Sequence, residues 1–202
     1  MAPEDDDRFG AAYFDRLYRT AETAVYTQAQ VDQLASGIVG LMGWWGLPVT
    51  RVLDLGAGTG MWKDWLARAR PDVAYVGVDV SAHACERYGH VHADIATWRH
   101  DERYDLIVCH GVFGYLDDAA CARAVENIAC MARGVLFFHV STEEDVRRGT
   151  LDTERSDGSA RRRPAAFYRD LLREWFHPIG AGLWLSASAP ETLLELERAG
   201  WG

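Results

Sequence analysis

Read for the spacing of its apolar positions, the chain opens with two helical stretches and then alternates strand with helix. Phe9 to Thr20 carries Tyr13, Phe14, Leu17 and Tyr18 at the spacing of one helix face. Gln28 to Trp45 predicts a second helix, with Val31, Leu34, Ile38, Met42 and Trp45 as its buried stripe. Gly37, Gly40, Gly43 and Gly46 recur along it and read as a thin face that lets a neighbour pack closely. From Arg51 onward, continuous apolar runs take over. Arg51 to Leu55, Val73 to Val80, His90 to Ala93, Tyr104 to His110 and Gly134 to Val140 read as strands. Helices are expected from Met61 to Ala69, after Ser81, and from Asp117 to Ala132, the last with Ala124, Val125, Ile128 and Met131 inward. Strands apolar throughout, separated by helices, predict an α/β fold: a doubly wound, mostly parallel sheet covered on both faces.

The remainder is less regular. Ser141 to Arg163 is polar and charged without periodicity, and reads as a long functional or mobile loop. Pro164 suits the first position of a helix whose apolar face is Phe167, Leu171, Leu172 and Trp175. Ile179 to Ser186 reads as a sixth strand, and Pro190 to Ala199 is helical by composition. Glu4 to Asp7 reads as a frayed, solvated tail.

The stretch that carries chemistry is Val52-Leu53-Asp54-Leu55-Gly56-Ala57-Gly58-Thr59-Gly60. A strand runs into an acid, then into glycines at alternate positions, then into a helix. Glycine lacks Cβ, so the turn can adopt positive φ and its backbone can lie against a ligand. The helix start adds unpaired N–H groups and partial positive charge. An ordinary strand-to-helix turn has no need of three glycines. A dinucleotide site is expected to show G-x-G-x-x-G, with the third glycine one residue later; here the pattern is G-x-G-x-G.

This stretch resembles motif I of the class I S-adenosylmethionine-dependent methyltransferases, and the resemblance runs from about Val52 to Val140. It implies S-adenosylmethionine as cofactor and S-adenosylhomocysteine as product, with Asp54, Gly56, Ala57, Gly58 and Gly60 in the cofactor set. Asp79 closes the second strand in Gly77-Val78-Asp79-Val80-Ser81. An acid there can accept from both ribose hydroxyls, or can cap the helix after Ser81. The resemblance favours ribose and sets Val80 beside adenine. It also gives Asp94 the adenine amine and Ile95 the adenine ring, with Trp98 as a second apolar wall; a plain loop turn at Asp94 is the alternative. Cys109-His110-Gly111-Val112 looks like motif IV, where the backbone at His110 meets the methionine amino group. Many members carry a histidine where this chain has Tyr115. The family places helices before the first strand over the cofactor and substrate pocket, which makes Tyr13, Tyr18 and Tyr26 pocket candidates. It also expects an antiparallel seventh strand near Pro190 to Ala199.

Composition narrows the partners. The chain has 202 residues and net charge −9, which argues against a nucleic-acid partner. Lys63 is the sole lysine among 21 basic residues, a bias of GC-rich, bacterial genomes. Cys85, Cys109, Cys121 and Cys130 form no C-x-x-C pair and read as reduced thiols of a cytoplasmic protein. Residues 1–7 lack the apolar core of a signal peptide, and no uncharged run is long enough to span a bilayer.

His110 and His139 end strands at the edge where open α/β sheets bind ligands, so His110 is a candidate general base or positioning group, with Tyr115 beside it; His139 reads as structural. The histidines show no metal-ligand spacing, and Asp117-Asp118 is explained by helix capping. Arg161-Arg162-Arg163 is either a solvated run or an attractor for an anionic substrate. The expected protein is one methyltransferase domain, residues 1–48 as tail and helices and 49–202 as the α/β core. It transfers a methyl group to a small molecule, with no metal and no membrane partner. A nicotinamide-dependent oxidoreductase and a non-catalytic S-adenosylmethionine-binding protein are the alternatives.

Overall fold

The computed structural model describes residues 8–190, with 193, 194 and 197. The expectations for the acidic tail and for most of 190–199 lie outside the described residues.

Seven strands form one sheet in the order β3-β2-β1-β4-β5-β7-β6. They are β1 (Arg51–Leu55), β2 (Ala74–Asp79), β3 (Val91–His92), β4 (Tyr104–His110), β5 (Ala132–His139), β6 (Phe176–Gly180) and β7 (Leu183–Ser186). The first five pair in parallel, and β7 runs antiparallel to both β5 and β6. β1 and β4 pair directly while their crossovers lead to opposite sides, so the chain changes direction there. Ligands of open α/β sheets bind outside the carboxyl edge at such a switch.

Alternation along the central strands divides the core into two layers. Val52, Leu106 and Val108 pack towards α2 (Gln28–Trp44) and α3 (Met61–Ala69). Leu53, Leu55, Ile107 and Cys109 pack towards α5 (Asp118–Met131) and α7 (Ala165–Arg173). Three local signals set these helices. Thr27 and Gln30 form a capping box at the start of α2. Ser81 caps α4 (Ala82–Tyr88), and Asp117 caps α5 by accepting the Ala120 N–H at 2.7 Å.

The structure corrects several readings. The first helix is α-helical only over α1 (Ala11–Phe14) and continues as a π-helical turn, Asp15–Arg19. Gly37, Gly40 and Gly43 have nothing within 4 Å of where a Cβ would stand, so among the described residues no neighbour packs on their face of α2. The core stripe is Val31, Ala35, Ile38 and Met42, on the other side.

The stretch Ser141 to Arg163 is not structureless. It contains α6 (Glu143–Arg148), started by a Thr142/Asp145 capping box and closed by Gly149 at φ 68°. Pro164 is the N-cap of α7 rather than its first residue, and Trp175 lies beyond that helix. The expected sixth strand, Ile179 to Ser186, is a hairpin. Gly180, Ala181 and Gly182 all take positive φ and turn β6 into β7. The antiparallel seventh strand therefore comes earlier than Pro190. Among the described residues, no helix is long and apolar enough to cross a membrane.

Candidate active site

β1 ends at Leu55 and the chain reverses over Gly56, Gly58 and Gly60, at φ 73°, 52° and 77°. A Cβ on Gly56 would stand 2.2 Å from Val112 Cγ2, so only glycine lets the loop pass this close to the exit of β4. The Gly56 and Ala57 N–H groups donate to the Val78 carbonyl at 2.8 and 3.1 Å. The Gly58 N–H donates to Asp79 Oδ2 and the Ser81 N–H to Asp79 Oδ1, each at 2.8 Å. Asp79 thus ties the glycine loop to the start of α4. Ser81, not Asp79, caps that helix.

Asp54 sits beneath this loop, 2% exposed, where the Tyr75 hydroxyl donates to its Oδ2 at 2.9 Å. Burial raises its pKa to about 7, and the Asp79 charge adds to the effect. Asp54, Ala57 and Gly60 do not line the cleft above. They shape the loop from below, because motif spacing fixes a backbone path and not which side chains reach its surface.

That cleft has a volume of about 950 Å³, its open mouth included. Gly56, Gly58, Asp79, Val80, Asp94, Ile95 and His110 all line it. Asp94 also accepts the Ala96 N–H at 2.8 Å, so it turns the loop and faces the cleft at once. Trp98 is not a wall of the cleft. It stacks on His100 with ring centroids 5.9 Å apart.

The opposite wall comes from the N-terminal segment: Arg8, Phe9, Tyr13, Phe14 and Tyr18. Ser81 Oγ donates to the Phe9 carbonyl at 2.6 Å, the Tyr13 and Tyr115 hydroxyls lie 2.9 Å apart, and the Arg8 guanidinium stands over the Phe9 and Tyr115 rings at 5.1 and 5.2 Å.

A second cleft, about 650 Å³ with its mouth, shares Tyr13, Tyr18, His110, Gly111 and Tyr115 with the first. Tyr26, His139, Asp157 and Arg162 also line it. The Tyr26 ring lies 4.5 Å from that of His110, and His139 meets His110 edge to face at 4.9 Å. Burial lowers the His110 pKa to about 3, with His139 adding to the shift. Surrounding protein lowers His139 too, although its surface remains open to solvent. Burial thus favours the neutral imidazole at both positions. Burial likewise raises the Tyr13, Tyr26 and Tyr115 phenols. The sequence treated His139 as structural and gave no pairing for Tyr26. Both come to the site from distant strand and loop ends, so no local spacing connects them.

The arginine triplet divides. Arg163 is buried and donates to the Leu116 and Phe113 carbonyls, Tyr168 and Asp118, at 2.6 to 3.3 Å. Arg161 is exposed and Arg162 half-buried, and both line the second cleft. Among the described residues, no group of three or more His, Cys, Asp or Glu is arranged to hold a metal.

A nucleoside cofactor fits this arrangement. The loop leaves no room for a Cβ at Gly56, and two carboxylates and an apolar residue, Asp79, Asp94 and Ile95, face the space beside it. The strand order with its antiparallel hairpin at one edge, and this cradle at the switch, define the class I methyltransferase fold. The chain matches the family described as "Methyltransferase domain" over residues 19–186 and belongs to it. It is a methyltransferase whose methyl donor is S-adenosylmethionine. The nicotinamide alternative falls with that assignment.

Solved structures share the fold at low identity. An S-adenosylmethionine-dependent methyltransferase from Clostridium acetobutylicum is 16% identical, with a TM-score of 0.59 over 81% of this chain and 84% of that one. Magnesium protoporphyrin IX methyltransferase from Synechocystis, with bound SAH, is 21% identical, with a TM-score of 0.55 over 85% and 87%. The plantazolicin methyltransferase BpumL, in complex with a pentazolic desmethylPZN analog and SAH, is 15% identical, with a TM-score of 0.63 over 85% and 70%. No curated protein matches the sequence.

Proposed function

We propose that this methyltransferase acts on a small molecule held in the second cleft, with the cofactor in the first. The observation that carries the reading is the shared wall. Tyr13, Tyr18, His110, Gly111 and Tyr115 belong to both clefts, so two ligands could meet there under the cover of the N-terminal segment. The net charge of −9 disfavours a nucleic-acid partner.

The bound cofactor supplies a methyl group already activated on a sulfonium. The protein's own residues do the rest. Gly56 and Gly58 offer close backbone approach, Asp79 accepts from ribose hydroxyls, and Asp94, Ile95 and Val80 take the adenine. Phe9, Phe14 and Tyr18 exclude water, which strengthens every polar contact inside. His110, as a neutral imidazole, accepts a hydrogen bond from the acceptor and orients it. Its conjugate acid is too strong to keep a proton at pH 7, so any proton released passes on to solvent. Tyr115, tied to Tyr13, offers a hydroxyl at the junction. Positioning, rather than base strength, carries the rate. The protein is read as bacterial, cytoplasmic and a single methyltransferase domain.

The test is to incubate the enzyme with trideuteromethyl S-adenosylmethionine and a bacterial extract separated by size. The proposal predicts label in the low-mass fraction. Label confined to protein or RNA overturns it.

A further inference from the structure

The second cleft contains an arginine that forms no ion pair among the described residues. Arg162 lines it, half-buried, and its Nη2 donates to Ser156 Oγ at 3.2 Å within the same loop. Its Nε is buried and makes no hydrogen bond among the described residues. The neighbouring Arg163 shows what a structural arginine looks like here: one carboxylate, two carbonyls and a hydroxyl. A guanidinium whose one hydrogen-bond partner among the described residues is a neutral hydroxyl can take an incoming anion through its Nη atoms.

The acid that lines the cleft forms no ion pair with Arg162 among the described residues. Asp157 lines the same cleft, but its carboxylate accepts the Ser159 N–H at 2.9 Å and Ser159 Oγ at 2.8 Å. Arg161 lines the cleft as well, and its N–H donates to the Gly114 carbonyl at 2.7 Å, fixing the loop against the site. The described residues lining the cleft thus include two arginines and one carboxylate, and burial favours the neutral form of His110. Tyr13, Tyr18, Tyr26 and Tyr115 also line the cleft, beside Leu17, Val25 and Val140.

We propose that the methyl acceptor is an aromatic carboxylic acid whose carboxylate is anchored by Arg162 while its ring lies among the tyrosines. This rests on the reading of the second cleft as the acceptor site. A planar bidentate donor suits a carboxylate, and tyrosine walls suit a flat apolar body.

The experiment titrates 4-hydroxybenzoate and 4-hydroxybenzamide, by calorimetry, into enzyme saturated with S-adenosylhomocysteine. The acid should bind at least tenfold more tightly than the amide. Arg162→Met should abolish that preference, and Arg162→Lys should retain part of it, with S-adenosylhomocysteine affinity and Tm unchanged in both. Equal affinities, no binding of the acid, or a preference that survives in Arg162→Met overturns the proposal. If the product itself fails to bind, the cofactor-site reading has failed as well; if it binds and the acid shows no advantage, only the carboxylate anchor has failed.

Discussion

The hydroxyl groups of Tyr13 and Tyr115 lie 2.9 Å apart, joining the N-terminal segment to the loop after β4 across the junction of the two clefts. Burial raises both phenols, so the pair stays protonated throughout the physiological range. Losing one hydroxyl removes a hydrogen bond worth about 1 kcal/mol. Tyr115→Phe should therefore speed amide exchange over residues 9–19 roughly fivefold without changing global stability much. Unchanged exchange there means that the other contacts alone hold the segment.

Asp79 has two tasks, and a substitution should show both. Asp79→Ala removes the acceptor for the Gly58 and Ser81 N–H groups and the proposed partner of the ribose. Affinity for S-adenosylhomocysteine should fall by about 1–3 kcal/mol, and Tm should fall too. A lower Tm with unaltered affinity would make Asp79 purely a loop tether.

Asp54 gives stability a pH dependence of unusual sign for a carboxylate. Its folded pKa, about 7, lies above the unfolded value of about 3.9. Between those values the unfolded chain releases a proton that the native state keeps, so this contribution falls as pH rises from about 4 to about 7. It is fully present below the unfolded pKa and lost above the folded one. Relative to wild type, Asp54→Asn should gain stability steadily across that window, as seen in denaturant titrations at each pH. A wild-type-minus-variant difference independent of pH contradicts the assignment.

His110 is expected to act without titrating. With its pKa near 3, turnover should show no ionisation of this residue between about pH 6 and pH 8. His110→Gln should lower the rate on the order of 10²-fold, equally at each pH. A near-neutral inflection that disappears in the variant would restore His110 as a conventional base.

Much of the architecture was legible because it is written locally. Tyr104 to His110 is apolar enough to be read as a buried strand with its observed bounds. The glycine spacing from Gly56 to Gly60 marked the ligand loop, and Asp79 and Asp94 followed at strand ends. Two local signals were passed over: the Thr142-to-Asp145 capping box inside a polar stretch, and Gly180 and Gly182 inside an apolar one. What no local pattern could supply is convergence. Tyr26, His139 and Arg162 meet at one cleft only because β4 and β5 pair and the loop before α7 folds back on the site. The fall in the His110 pKa has the same origin, since it reflects neighbours from several elements.

With the cofactor in the first cleft and the acceptor in the second, as proposed, the transferable methyl group lies where the two meet. Nuclear magnetic resonance with S-adenosylmethionine carrying a ¹³C methyl group tests this directly on the 22.6 kDa chain. On this placement, nuclear Overhauser contacts are expected from that methyl to the His110 ring and to the Tyr13 or Tyr115 ring. Contacts to other aromatic residues alone, from cofactor shown by titration to be bound, would contradict it.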